Sequence, residues 1–312
     1  MAQALDSVIG QSFADFQLII VNDQGTLEDE VVIEHYAARD SRICLIRNEK
    51  NQGLAASLNR AVRAAKANLV IRMDSDDLSE PTRFESLYSH MICNPRISVC
   101  GSWVSVINHK GNRIGGWRPP VGDDDIKDQL LFTNPIVHPS VIMRRSILEA
   151  VGGYSEEFRL AQDLDLWLRL LSNGAVFANY PKELYRLREH PNRVSNLKRQ
   201  AQVQFALAAR RSFYYRSSGY PLHGPVEGES DAQISLAANL PYYCDPVAFL
   251  LLQNPSIATW TNFECFQTTK SILTSRLTRF RRNVFFRIFM RVLILREFKF
   301  AFILIAKALN KH

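Results

Sequence analysis

Three short apolar runs early in the chain, FQLIIVND (16–23), RICLIRN (42–48) and LVIRM (69–73), are separated by two stretches with helical spacing. The first stretch, EDEVVIEHYAARD (28–40), puts Val31, Val32, His35 and Tyr36 near one helical face. The second, GLAASLNRAVRAAK (53–66), is rich in alanine and leucine and opens at Gly53. Strand, helix, strand, helix, strand at short spacing predicts a parallel sheet with right-handed crossovers, because parallel neighbours need a long connection and a helix supplies it. In such α/β sheets ligands gather beyond the carboxyl ends of the strands. Both VND (21–23) and MDSDD (73–77) fall there.

The second of these ends is crowded. Asp74, Asp76 and Asp77 follow closely on Leu69, Val70 and Ile71, where like charges repel and each carboxylate resists losing water. Capping the helix expected from Pro81 would need one acid or Ser79, not three carboxylates. A calcium loop of the EF-hand type does not fit, since Leu78 and Ser79 stand where that loop needs an oxygen ligand and a glycine. Mg²⁺ or Mn²⁺ fits better, because these ions take few protein carboxylates and leave positions for substrate phosphates.

Further along, helices are expected over 81–95 and 161–174 and strands over 97–108 and 140–144. In the later helix Leu164, Trp167, Leu168 and Leu171 form the apolar stripe, which makes Trp167 a core residue, and Gly174 ends it. Five cysteines without C-x-x-C spacing suggest reduced thiols in the cytoplasm, and the start of the chain lacks the basic and apolar pattern of a signal peptide. The formal charge of +7 is a property of one end: residues 276–312 carry ten Lys or Arg against Glu297 alone, leaving the other 275 residues at −2. That tail also holds seven phenylalanines between 280 and 302 but no uncharged apolar run long enough to span a bilayer.

MDSDD resembles the D-x-D signature of GT-A glycosyltransferases, and the chain is similar to glycosyltransferase family 2 over roughly residues 3–195. The blocks that carry the likeness are ALDSVIGQSFADFQLIIVND, RNEKNQGLAASLNRAVRAAKANLVIRMDSDD, NPIVHPSVIMRR, VGGYSEEFRLAQDLDLWLRL and YRLREHPNRVS, in the family's order. The resemblance implies a Rossmann-like, mostly parallel sheet flanked by helices over 1–196. A helical and loop extension is expected over 197–275 and a basic apolar tail over 276–312.

The resemblance also implies a reaction: an inverting, metal-dependent transfer of a sugar from a nucleotide-diphosphate sugar, UDP-linked first among them. The acceptor would be a cell-surface glycan or a lipid-linked sugar. Asp76 would hold Mn²⁺ or Mg²⁺, with Asp74 at the metal or the ribose and Asp77 orienting the donor site. Asp23 would contact the base or ribose, or else simply close a turn. Asp163 in AQDLDLW would be the general base, with Gln162 standing where the family has a second acid and Asp165 free to pair with Arg169. His190 would complete the metal shell or touch the diphosphate, or else be a solvated loop residue. Arg193, beside it with Ser195, would bind the nucleotide sugar, and His138, between Pro135 and Pro139, belongs either to the donor site or to a rigid turn. Gly152 and Gly153 would permit a tight backbone.

Two features depart from the family. Its opening strand, of the type V-S-V-I-I-P-x-Y-N and expected beside Ile19 and Ile20, is absent ahead of the first helix. VNDQGT also replaces the usual D-D-G-S-T. Either the true start lies upstream of this sequence or the chain is a truncated product, and the alternative to the enzyme reading is a non-catalytic, nucleotide- or metal-binding remnant or assembly partner. The tail at 276–312 is expected either to bind anionic lipid at the inner face of the cell membrane or to pack on protein. Nucleic acid is not expected as a partner, since no recognised module accompanies the charge.

Overall fold

In the computed structural model, residues 1–131, 133–190 and 199–218 are described, and they belong to a compact unit spanning Met1–Glu227. Helix α1 (Ala2–Ile9) opens the chain and buries Ala4, Leu5 and Val8. Strand β1 (Leu18–Asn22), helix α2 (Leu27–Ala37), strand β2 (Ile43–Arg47) and helix α3 (Leu54–Ala64) follow as expected. Helix α2 starts where it does because Thr26 and Asp29 form a capping box. The Asp29 N–H donates to Thr26 Oγ1 at 3.2 Å and the Thr26 N–H donates back to Asp29 Oδ2 at 3.3 Å. β1 and β2 pair in parallel, Leu18 opposite Ile43 through Asn22 opposite Arg47.

The third strand departs from the expectation of one sheet. β3 (Leu69–Ile71) pairs antiparallel with β7 (Ile142–Arg144), in a six-stranded sheet separate from β1–β2. Its path runs β3, β7, β5 (Val99–Ile107), β8 (Phe177–Arg188), β4 (Leu78–Ser79), with β6 (Arg113–Trp117) on β5. Only β1–β2 and β5–β8 are parallel pairs, so the sheet is more mixed than expected. The Leu18 N–H donates to Arg42 and the Asn22 carbonyl accepts from Asn48, so these residues face β2 and alternation turns Ile19 and Val21 to the opposite edge. Among the described residues no strand pairs with that edge.

Helices α4 (Arg83–Cys93), α5 (Asp123–Leu130), α6 (Arg145–Ala150), α7 (Gln162–Ser172) and α8 (Arg199–Ser218) complete the unit. One core cluster joins α4 to the sheet through Leu87, Met91, Cys100, Ile142, Ala178 and Leu184; a second joins Val104, Val137, Tyr185 and Leu187. Strand β8 is the longest and was not read from the sequence, because Pro181 interrupts its alternation. The register with β5 jumps there from Tyr180 to Glu183, leaving Pro181 and Lys182 exposed on a bulge where the missing N–H costs nothing. Of the extension expected over 197–275 only α8 is described. The rest of it, and the tail at 276–312, lie outside the described residues.

Candidate active site

The turn after β3 is held from two sides. Tyr185 on β8 accepts the Asp74 N–H at 3.1 Å and donates to Asp77 Oδ2 at 2.8 Å. The Arg188 N–H donates to Asp77 Oδ1 at 2.6 Å, and Arg188 Nε donates to the Asp76 carbonyl at 2.8 Å. Asp77 is therefore buried within the turn, where it orients the loop. Burial pushes its carboxyl up to about 6, with Asp74 and Asp76 adding repulsion against the Arg188 and Tyr185 hydrogen bonds. One ligand atom from each of Asp74, Asp76 and Asp77 lies within 4.8 Å of the others. The Asp74 and Asp76 side chains remain 35% and 45% exposed, so the open face belongs to them. His190, at the end of β8, brings Nε2 to 3.0 Å from Asp76 Oδ2. Carboxylate oxygens with one imidazole are a donor set suited to Mn²⁺ and, through the oxygens, to Mg²⁺.

Two arginines lie beneath the acids. Arg72 is 7% exposed and meets both oxygens of Asp74, Nη1 at 2.9 Å and Nη2 at 2.5 Å. Burial works against its charge, and Asp74 more than restores it. Arg83 is wholly buried, donates to the Arg72 and Pro139 carbonyls at 2.7 and 2.9 Å, and stacks its guanidinium over the Tyr185 ring. Its pKa falls to about 10 through burial, with Arg72 adding to the fall.

Asp163 stands in the first turn of α7, half-buried, with its Oδ2 accepting from Asn134 Nδ2 at 2.7 Å. Burial raises its pKa, while the Leu164 N–H, Asn134 and the charge of Arg72 pull the other way. Tyr154 is buried, and burial raises its pKa, with the charges of Asp163 and Asp74 adding to the rise. His138 packs against it. It is buried, with Nε2 2.9 Å from the Tyr154 hydroxyl and its ring edge-on to Trp167, and burial lowers its pKa well below the usual imidazole value. The structure thus puts His138 in a wall and not on the open acidic face. Asp165 is fully buried and ion-paired with Arg169 at 2.8 Å, which separates it from Asp163 in role as well as in exposure. Trp167 is core, as expected. Gly152 and Gly153 both have positive φ, and a Cβ on Gly153 would fall 2.4 Å from Asn59 Oδ1. Asn59 in turn bonds the Tyr154 N–H and carbonyl, each at 2.8 Å, so this tight turn serves to dock α3.

Asp23 closes the end of β1. Its carboxylate accepts from Asn48 Nδ2 at 2.6 Å and from the Gln52 and Gly53 N–H groups, both at 2.8 Å. Burial raises its pKa, but these bonds outweigh it and the net shift is down. Arg193 and Ser195 lie outside the described residues.

The model of the family described as Glycosyl transferase family 2 matches residues 1–152. An uncharacterised glycosyltransferase of Methanocaldococcus jannaschii is 32% identical over 204 residues, covering 64% of this chain and 70% of that protein. The chain belongs to glycosyltransferase family 2. Other relatives of this transferase include the Escherichia coli O-antigen biosynthesis glycosyltransferase WbnJ, 34% identical over 54% of this chain and 65% of its own length. A second from Escherichia coli is UDP-Gal:alpha-D-GlcNAc-diphosphoundecaprenol beta-1,3-galactosyltransferase, 29% identical over 69% and 77%. The S. aureus TarS 1–349 structure in complex with UDP-GlcNAc has a TM-score of 0.54 at 14% identity, covering 86% of this chain and 74% of that one. The mannosyltransferase PcManGT of Pyrobaculum calidifontis, solved with GDP-Man and Mn²⁺, has a TM-score of 0.51 at 15% identity, covering 87% and 76%. These likenesses establish the GT-A fold of the transferase.

Sequence reasoning missed Arg72, Arg83, Asn134, Tyr154, Tyr185 and Arg188. Arg72 had a local signal, a basic residue two positions ahead of Asp74. Tyr185 and Arg188 had none once β8 went unread.

Proposed function

We propose that this family 2 transferase moves a sugar from a nucleotide-diphosphate sugar, UDP-linked first, onto a glycan or lipid-linked acceptor with inversion. The observation that carries the reading is the convergence of His190 with Asp76, 114 residues apart in sequence, at 3.0 Å on an acidic turn ending a strand. Asp76 and His190, with Asp74, would hold Mn²⁺ or Mg²⁺, and Asp23 would address the base or ribose. A bound divalent ion supplies positive charge to the diphosphate as it departs.

Asp163 supplies the base. Its ionised carboxylate takes the proton of the acceptor hydroxyl as that oxygen bonds to the anomeric carbon. The bond from that carbon to the diphosphate oxygen breaks on the opposite face, which inverts the centre. Asn134 aims Asp163 and favours its ionised form against burial, and the charge of Arg72 favours it too. Support for the donor and acceptor classes comes from relatives and neighbours whose names carry UDP-Gal, UDP-GlcNAc, GDP-Man, Mn²⁺ and a diphosphoundecaprenol acceptor. Among the described residues no helix is long and apolar enough to cross a membrane. We place the enzyme at the inner face of the cell membrane through residues 276–312, whose +9 charge suits anionic lipid. The full chain should sediment with anionic vesicles and not with neutral ones.

The test of transfer is incubation of the full chain with Mn²⁺, a panel of nucleotide sugars and lipid-linked or glycan acceptors. Nucleotide diphosphate release and the product anomer are read by NMR. Metal-dependent release with an inverted product is expected. A retained anomer, or release indifferent to chelator, contradicts the reading.

A further inference from the structure

We propose that Arg72 is the positioning residue of the donor site: it grips both carboxylate oxygens of Asp74 from inside the protein and fixes how the acidic turn meets the metal ion and nucleotide. This deepens the donor-site reading above and rests on it. Arg72 is 7% exposed, so it touches neither ligand and acts through Asp74. Its own backbone is pinned on both sides, the N–H to the Val141 carbonyl at 3.1 Å and the carbonyl by Arg83 Nη2 at 2.7 Å. Arg83 also holds the Pro139 carbonyl and, through Nη1 at 2.9 Å, Ser79 Oγ. A chain of rigid contacts therefore runs from β4 and the His138–Ser140 turn, through Arg83 and Arg72, to Asp74 at the open face.

The two arginines show why this is more than a buried pair. Arg83 meets its burial with carbonyls, a hydroxyl and the Tyr185 ring, without a bonded carboxylate. Arg72 sits in the same region yet commits two N–H groups to an acid that is a third exposed. An aspartate at that exposure on a turn would otherwise sample several rotamers. Gripped at both oxygens, it presents its remaining lone pairs in one direction, which is the preorganisation that ligand-orienting partners supply. Lysine carries the same charge but lacks the two-pronged planar fork, so it separates charge from position.

The test uses the full chain and two variants, Arg72→Lys and Arg72→Gln. Mn²⁺ binding is followed by electron paramagnetic resonance, UDP binding by calorimetry at saturating Mn²⁺, and folding by thermal melting. Folded Arg72→Lys should bind Mn²⁺ and UDP about 10-fold or more weakly, in the range seen when ligand-orienting partners are lost. Its Mn²⁺ spectrum should also broaden relative to the parent. A folded variant within about twofold of the parent on both affinities overturns the positioning role while leaving the donor site intact. Should Arg72→Lys not fold, Arg72→Gln, which keeps one donor without charge, is read in its place. If neither variant folds, Arg72 is a residue of the fold and the proposal falls. A parent chain that binds no nucleotide diphosphate overturns both this and the donor-site reading.

Discussion

The turn after β3 gathers three carboxylates within 4.8 Å, whereas the first turn of α7 sets Asp163 apart, with Asn134 on one oxygen. In the first region the open acids repel one another, and the arginine gripping Asp74 answers only part of their charge. In the second, burial raises the proton affinity of a single acid and a neutral amide tempers it. The same side chain thus serves two tasks according to its surroundings: crowded and partly open, it attracts a cation; isolated and half-buried, it exchanges a proton.

Asp163→Asn should strike this contrast hardest. Loss of the base is expected to cut kcat by roughly 10² to 10⁴-fold while nucleotide binding stays intact, read by steady-state kinetics beside calorimetry. Asp165→Asn, two positions on, should do the reverse. It leaves the half-buried Arg169 without its ionic partner, so thermal or urea unfolding should show a loss of about 3–5 kcal/mol, with near-parental turnover in the protein that remains folded. Equal kinetic damage from both would merge the two acids into one role. Tyr185→Phe should loosen the acidic turn, since it strands the Asp74 N–H and Asp77 Oδ2, at a cost of about 1–3 kcal/mol in unfolding free energy.

Asn134→Ala should give the smallest change and the most specific one. Asp163 must be ionised to act, so kcat/KM should climb as pH rises through its raised pKa. Removing the Asn134 bond, which favours the charged form, should move that acid limb to higher pH. The sign for stability is opposite to that of a usual salt-bridged acid. Because the folded pKa of Asp163 lies above its unfolded value, this group's contribution is greatest below the unfolded pKa and is lost as pH rises through the folded one. An acid limb unmoved by Asn134→Ala would take Asp163 out of the proton transfer.

The two regions also differ in how far the sequence revealed them. The acidic turn was legible because three aspartates after an apolar run form a local pattern, and β1, β2, α2 and α3 followed from apolar runs, helical spacing and composition. The partners of that turn were not legible, since Tyr185 and Arg188 arrive on β8, whose alternation breaks at Pro181 and whose pairing with β5 is long-range. The separation of β3 from β1–β2 was also beyond reach of spacing alone, because β3 pairs instead with β7, far along the chain. His138 was left between two readings for a related reason: its motif is local, but its burial against Tyr154 and Trp167 is a property of packing.

The central claim is that the acidic turn holds a metal ion for a nucleotide diphosphate. Calorimetric titration of UDP into the full chain, with Mn²⁺ and then with chelator, beside Asp76→Ala, tests it most directly. UDP should bind the parent only with metal, and Asp76→Ala should abolish that binding at unchanged fold. Binding that survives chelation or the loss of Asp76 would contradict the account.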